Sequence, residues 1–198
     1  MQVKQGEKLI KVSNGMFHYE WFTLKSCPPD DKKKVNIRTS ESVSDSNETD
    51  DKVSLEAEFD FKAPEVPGEE RNNLKQHGKD NELIVVFFHG AGQSTLSWRP
   101  LFTSLSNSSK SLYPVTLLAF DARGHGKTKT ENETDLSIAT LTNDALNLIQ
   151  AVCTEGSSIL LVGHSMGGAV ATHVATKLAT IKLQFKLRGL MLIDIVEG

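Results

Sequence analysis

Read for period, the chain changes texture near residue 82. Before it, VSLEAEFDF (53–61) sets Val53, Leu55, Ala57, Phe59 and Phe61 on one side and mostly polar residues on the other, predicting a strand with one wet face. After it, ELIVVFF (82–88), VTLLAF (115–120), SSILLVG (157–163) and LRGLMLIDIV (187–196) predict four further strands. The first of these is continuously apolar, as suits a strand buried on both faces. A helix is predicted near 96–106. Leu141, Ala145, Leu148 and Val152 share one face of a second helix, and 166–180 reads as a third, rich in small residues. Strands separated by helices predict an α/β fold: a mostly parallel sheet with helices on both faces.

Two stretches carry little to bury. Residues 26–52 are charged and serine-rich, which predicts a flexible insertion, and 62–81 reads as a loop by its prolines, glycines and charges. The expected organisation is an N-terminal segment (1–25), the insertion (26–52) and a domain over 53–198.

Composition narrows the class. With 38% hydrophobic and 24% charged residues among 198, the chain has the make-up of a soluble globular protein. A net charge of -3 argues against a nucleic-acid partner, and the one basic run, Lys32 to Lys34, follows Asp30 and Asp31. The longest apolar run, Leu83 to Phe88, is far short of the ~20 residues a bilayer requires, so no membrane partner is expected. Cys27 and Cys153 show no metal-like spacing, and the first residues lack the apolar core of a leader. Reduced thiols in a cytoplasmic or nuclear protein follow, and the sequons at Asn47, Asn107 and Asn132 then read as chance matches.

The chemistry begins at Gly163-His164-Ser165-Met166-Gly167, a G-x-S-x-G pattern entered from a predicted strand and left by a predicted helix. That context is required of a sharp turn presenting a nucleophilic serine. Side chains at Gly163 and Gly167 would collide with neighbouring backbone. The Met166 amide stands beside the Ser165 hydroxyl to receive an oxyanion. A second donor is expected from the loop after the first buried strand, His89-Gly90-Ala91-Gly92-Gln93, with the Ala91 amide as candidate and His89 pinning the loop. A tight strand–helix turn using glycine and serine for packing and capping is the alternative. Gly126-Lys127-Thr128 imitates the tail of a phosphate-binding loop. The pattern needs a glycine at 121, where Asp121 sets a carboxylate against any phosphate.

Taken together, FFHGAGQSTLSW (87–98), FDARGHGKTK (120–129), VGHSMGGAVA (162–171) and LIDIVEG (192–198) resemble the α/β-hydrolase fold and, within it, the protein phosphatase methylesterase family, over about 82–198. The resemblance implies a serine carboxylesterase that removes the methyl ester from the C-terminal leucine of its partner, the type 2A protein phosphatase catalytic subunit. It implies no metal and no organic cofactor. Carried over by motif, Ser165 is the nucleophile and Asp194 the acid, with a turn residue ending a strand as the other reading of Asp194. Another esterase or lipase of this fold, or a non-catalytic form that binds the phosphatase, are the alternatives.

In this fold the triad runs serine, acid, histidine. The histidines are 18, 77, 89, 125, 164 and 173, and none follows Asp194. His173 lies ~12 Å along the helix from Ser165, and adjacent side chains at such a turn point apart, which disfavours His164. The expectation is therefore a chain shortened at its C-terminus, lacking the base and inactive alone.

Overall fold

The structure, a computed structural model, describes residues 4–12, 15–24, 82–108, 111, 113–180 and 185–195. The strand expected at 53–61, the loop 62–81 and the stretch 26–52 lie outside these residues.

Among the described residues, seven strands form one sheet: β1 (Lys4–Val12), β2 (Gly15–Leu24), β3 (Leu83–Phe88), β4 (Val115–Phe120), β5 (Lys129–Thr130), β6 (Ser158–His164) and β7 (Lys186–Ile193). Their order is β1-β2-β4-β3-β6-β7, with the short β5 paired to β2. β4, β3, β6 and β7 run parallel, and the β1–β2 hairpin joins β4 antiparallel. Three α-helices accompany them: α1 (Arg99–Ser108), preceded by a 3₁₀ turn (Thr95–Trp98), then α2 (Ile138–Val152) and α3 (Met166–Thr180). The chain belongs to the α/β class that its periodicity predicted. The predicted helix near 96–106 begins as a 3₁₀ turn, and the Ser94 hydroxyl caps it by accepting the Leu96 N–H.

Each face of the sheet has its own core. α2 and α3 cover one, where Ile84, Val86, Leu118, Ile159 and Leu161 meet Leu148, Ile149, Ala171 and Val174. On the other, Trp98 and Phe102 meet Phe87, Leu117 and Val162. β3 and β6 feed both, which explains why their runs are continuously apolar. The predicted stripe Leu141, Ala145, Leu148 and Val152 is wholly buried. Cys153 is buried at the end of α2, and burial pushes its thiol pKa up, which makes it an unreactive packing residue.

Residues 4–24, set apart from the domain on sequence grounds, supply two strands of this same sheet. Phe17 and Tyr19 are buried in the first core, while His18 and Glu20, pointing the other way, are buried too. Glu20 is held by a bidentate Arg99 (2.8 and 2.9 Å) and the Thr95 hydroxyl (3.0 Å). β1 is an outer strand carrying Lys4, Lys8 and Lys11, charges that discourage edge pairing. At the N-terminal end of the parallel strands, Val115 pairs with Leu24 on one side and Leu83 on the other.

Candidate active site

Three connections meet at the C-terminal ends of the parallel strands, where ligands bind in open α/β sheets. The first is the turn from β6 into α3. Ser165 there has φ +50°, left-handed backbone that a residue with a Cβ adopts only at a cost. The turn tolerates no bulk around the serine. A Cβ on Gly163 would lie 2.5 Å from the Gly167 carbonyl oxygen, and one on Gly167 would lie 2.5 Å from the carbonyl oxygens of both Phe88 and His89. Gly168, which the motif did not single out, is less constrained: its Cβ would meet Ile195 Cδ1 at 2.1 Å, the end of an exposed side chain that can move aside.

The Ser165 side chain is exposed, and its N–H donates to the Ile193 carbonyl (3.0 Å), tying the turn to the end of β7. The Ser165 carbonyl accepts from Gly168 (2.8 Å) and Ala169 (3.3 Å), closing the first turn of α3. The Met166 amide belongs to the first helical residue, whose N–H has no partner within the helix. Among the described residues it meets no acceptor.

The second connection is the loop after β3. Gly90 to Gln93 forms a β-turn closed by the Gln93 N–H on the Gly90 carbonyl (3.1 Å), with Gly92 at φ +70° as a type II turn demands. The Gln93 side chain folds back and accepts the Gly90 N–H (3.1 Å). The Ala91 N–H, between these, has no acceptor among the described residues. His89 is buried; its Nε2 accepts the Ala122 N–H (2.9 Å), so its proton sits on Nδ1 and is donated to the Gly90 carbonyl (2.8 Å). Burial lowers its pKa from the ordinary 6.5, against the smaller opposing effect of that carbonyl.

The third connection follows β7. Asp194 has φ +52° and a side chain 79% exposed. Its Oδ2 lies 3.8 Å from His164 Nε2, too long for a hydrogen bond but within ion-pair reach. The His164 ring lies against Gly90, where an added Cβ would stand 2.8 Å from its Nδ1. His164 thus connects the loop after β3 to the turn holding Asp194, with Ser165 next to it in the chain. The structure assembles Ser165, Met166, Ala91, His164 and Asp194 around the same strand ends.

Sequence reading passed over the residues beneath these loops. Asp121, buried, accepts the N–H groups of Thr95 (2.7 Å) and Lys127 (2.8 Å) and faces His18 Nδ1 (2.8 Å). Its carboxylate therefore occupies the amide that a phosphate-binding loop would offer to nucleotide, which removes that resemblance. A Cβ at Gly126 would lie 2.1 Å from the same carboxylate. Arg123 and Asp144 form a buried pair (2.8 and 2.9 Å) beneath Met166 and Gly167, lining one pocket with Phe88, Phe120 and Leu141. The signal was present in DARGHG, which reads as a failed nucleotide motif and as part of the family resemblance but not as a buried ion-pair network.

Glu7, His18 and Glu20 present ligand atoms within 4.8 Å of one another. Glu20 is already neutralised by Arg99, and Glu7 by Lys127 (2.9 Å), so this is a charge-balanced network rather than a cation site. No helix among the described residues is long and apolar enough to cross a membrane.

Comparison with known proteins agrees with this geometry. The solved structure of epoxide hydrolase I from potato (Solanum tuberosum) superposes with TM-score 0.57 at 17% identity, covering 98% of this chain and 41% of its own. That likeness speaks for the fold alone. In sequence, protein phosphatase methylesterase 1 of Bos taurus is 35% identical over 145 residues, 73% of this chain and 36% of its own length. The enzyme of that name in Schizosaccharomyces pombe is 34% identical over 170 residues, 84% of this chain and 47% of its own. The chain thus spans less than half the length of these relatives. The profile described as "Alpha/beta hydrolase family" matches residues 85–196. The chain belongs to the alpha/beta hydrolase family and, within it, is similar to the protein phosphatase methylesterases.

Proposed function

We propose that Ser165 is the nucleophile of a carboxylesterase acting on the methyl ester of the C-terminal leucine of the type 2A protein phosphatase catalytic subunit. The observation that carries the reading is the Ser165 turn: a strained, exposed serine next to the unengaged Met166 amide, at the strand ends that also carry the Ala91 loop. Similarity to methylesterases over 73% to 84% of the chain supports the choice of substrate. Ser165 Oγ attacks the ester carbonyl, and the Met166 and Ala91 amides hold the oxyanion. Methanol leaves, and water then hydrolyses the acyl-serine to restore the enzyme. Asp194 serves as the acid that orients and stabilises a histidine base.

We read none of the described histidines as that base. The ring nitrogens of His18, His89 and His125 face other partners, and His164 Nε2 faces Asp194. His173 is exposed on α3, about two turns beyond Ser165. With His77 outside the described residues, we expect residues 1–198 alone to turn the methylated phosphatase tail over very slowly. The test is methanol release from methylated phosphatase, with and without added imidazole. We expect negligible release without imidazole, measurable release with it, and none from Ser165→Ala under either condition. Full turnover without imidazole refutes the missing base; turnover that survives Ser165→Ala refutes the nucleophile.

A further inference from the structure

The loop carrying Ala91 is held by a second histidine, which no step of the ester chemistry uses. The Gly92 N–H donates to His125 Nε2 (3.1 Å), and His125 Nδ1 lies 2.8 Å from the Arg123 carbonyl oxygen. A carbonyl only accepts, so the proton of the neutral ring sits on Nδ1, and Nε2 keeps the lone pair that receives Gly92. We propose that His125 is a positioning residue: its neutral Nδ1–H ring fixes the Ala91–Gly92 turn, and a second proton releases that turn by setting N–H against N–H. That the turn serves an oxyanion rests on the proposed esterase; the His125–Gly92 latch does not.

The surroundings make the latch specific to this ring. His125 is held on its own loop, where its N–H donates to the Ala122 carbonyl (3.0 Å) and its carbonyl accepts from Thr128 (3.3 Å). The ring of His89, on the loop after β3, stands 5.1 Å from that of His125, centroid to centroid. The charges around the loop are already engaged. Asp121 takes two amides and faces His18 from β2, Arg123 pairs with Asp144 of α2, and Lys127 pairs with Glu7 of β1. The loop after β3 is thus tied to 121–128 at three points: Ala122 to His89, Gly92 to His125, and Thr95 to Asp121. Only the Gly92 tie ends on a part-exposed histidine ring, open to protons from solvent.

Solution NMR on residues 1–198 tests this without any substrate. Long-range nitrogen–proton correlation at neutral pH should show His125 protonated at Nδ1 alone. On acidification the Gly92 amide proton should shift with the same midpoint as the His125 ring proton, while the amide of Gly156, an exposed glycine of similar backbone, should not follow. His125→Phe should move the Gly92 resonance at every pH and abolish its titration. His125→Gln, whose side-chain oxygen can accept, should restore the neutral-pH position with no titration. Gly92 exchange with solvent should rise ~5-fold when the bond is lost. A ring protonated at Nε2, or a Gly92 amide indifferent to the His125 midpoint, overturns the proposal. The wild-type titration decides the matter even if a variant fails to fold. Failure of methanol release in the presence of imidazole, beside an intact titration, would count against the esterase reading and leave the latch standing.

Discussion

At the scale of single residues, Ser165 and Asp194 both occupy left-handed backbone at the site. For an L-residue this costs ~1–2 kcal/mol, which glycine escapes, although glycine loses about 0.5–1 kcal/mol through its freer unfolded chain. Ser165→Gly and Ser165→Ala remove the same hydroxyl but differ in that strain. Ser165→Gly should be the more stable by up to ~1 kcal/mol, read from urea midpoints. A less stable glycine variant would show that the turn is relaxed. His89 supplies a pH dependence of known sign. Its folded pKa is depressed by burial, so as pH falls below 6.5 the unfolded chain takes up a proton that the folded chain resists. Its contribution is whole above pH 6.5 and declines as pH falls towards the folded value. His89→Asn should flatten the difference between urea midpoints at about pH 7.5 and pH 5.5.

At the scale of elements, the central test is the pair beneath the Ser165 turn. Asp144→Ala would leave the Arg123 guanidinium buried and unpaired, and should cost about 3–5 kcal/mol in thermal or urea unfolding. Asp144→Asn keeps an acceptor oxygen and should lose less. Helices and parallel strands were legible because their burial is one-sided or complete: Leu141, Ala145, Leu148 and Val152 could face nothing but a core. The Ser165 turn was legible because only glycine fits at 163 and 167. The β1–β2 hairpin was not. In GMFHYEWFTL, Phe17, His18, Tyr19 and Glu20 are all buried, so alternation along β2 is hidden. What makes His18 and Glu20 bearable inside are Asp121, Thr95 and Arg99, each more than 70 positions away. Local pattern carries no trace of partners so remote. His125 escaped notice for the same reason, since Gly92 lies 33 positions before it.

For the whole molecule, the two outer strands of the described sheet differ in character. β1 carries lysines, whereas β7 exposes Met191, Leu192 and Ile193, with Ile195 beyond it. An apolar strand with unpaired backbone along one side recruits other chains. Residues 1–198 should therefore self-associate with rising concentration in light scattering, and Met191→Lys should suppress this without altering the fold by circular dichroism. A chain that stays monomeric at high concentration would show that β7 is protected by something else.

The double pairing of Val115 has a practical consequence. Leu24 and Leu83 flank it on either side, so these two residues stand only two strand spacings apart, ~10 Å. Three or four extended residues bridge that gap. Both residues also lie at the edge opposite Ser165, about one strand length, ~20 Å, from it. A fluorophore, an affinity handle or a whole inserted domain could therefore be spliced between Leu24 and Leu83 as into a socket. The strand ends around Ser165 would stay clear of the cargo.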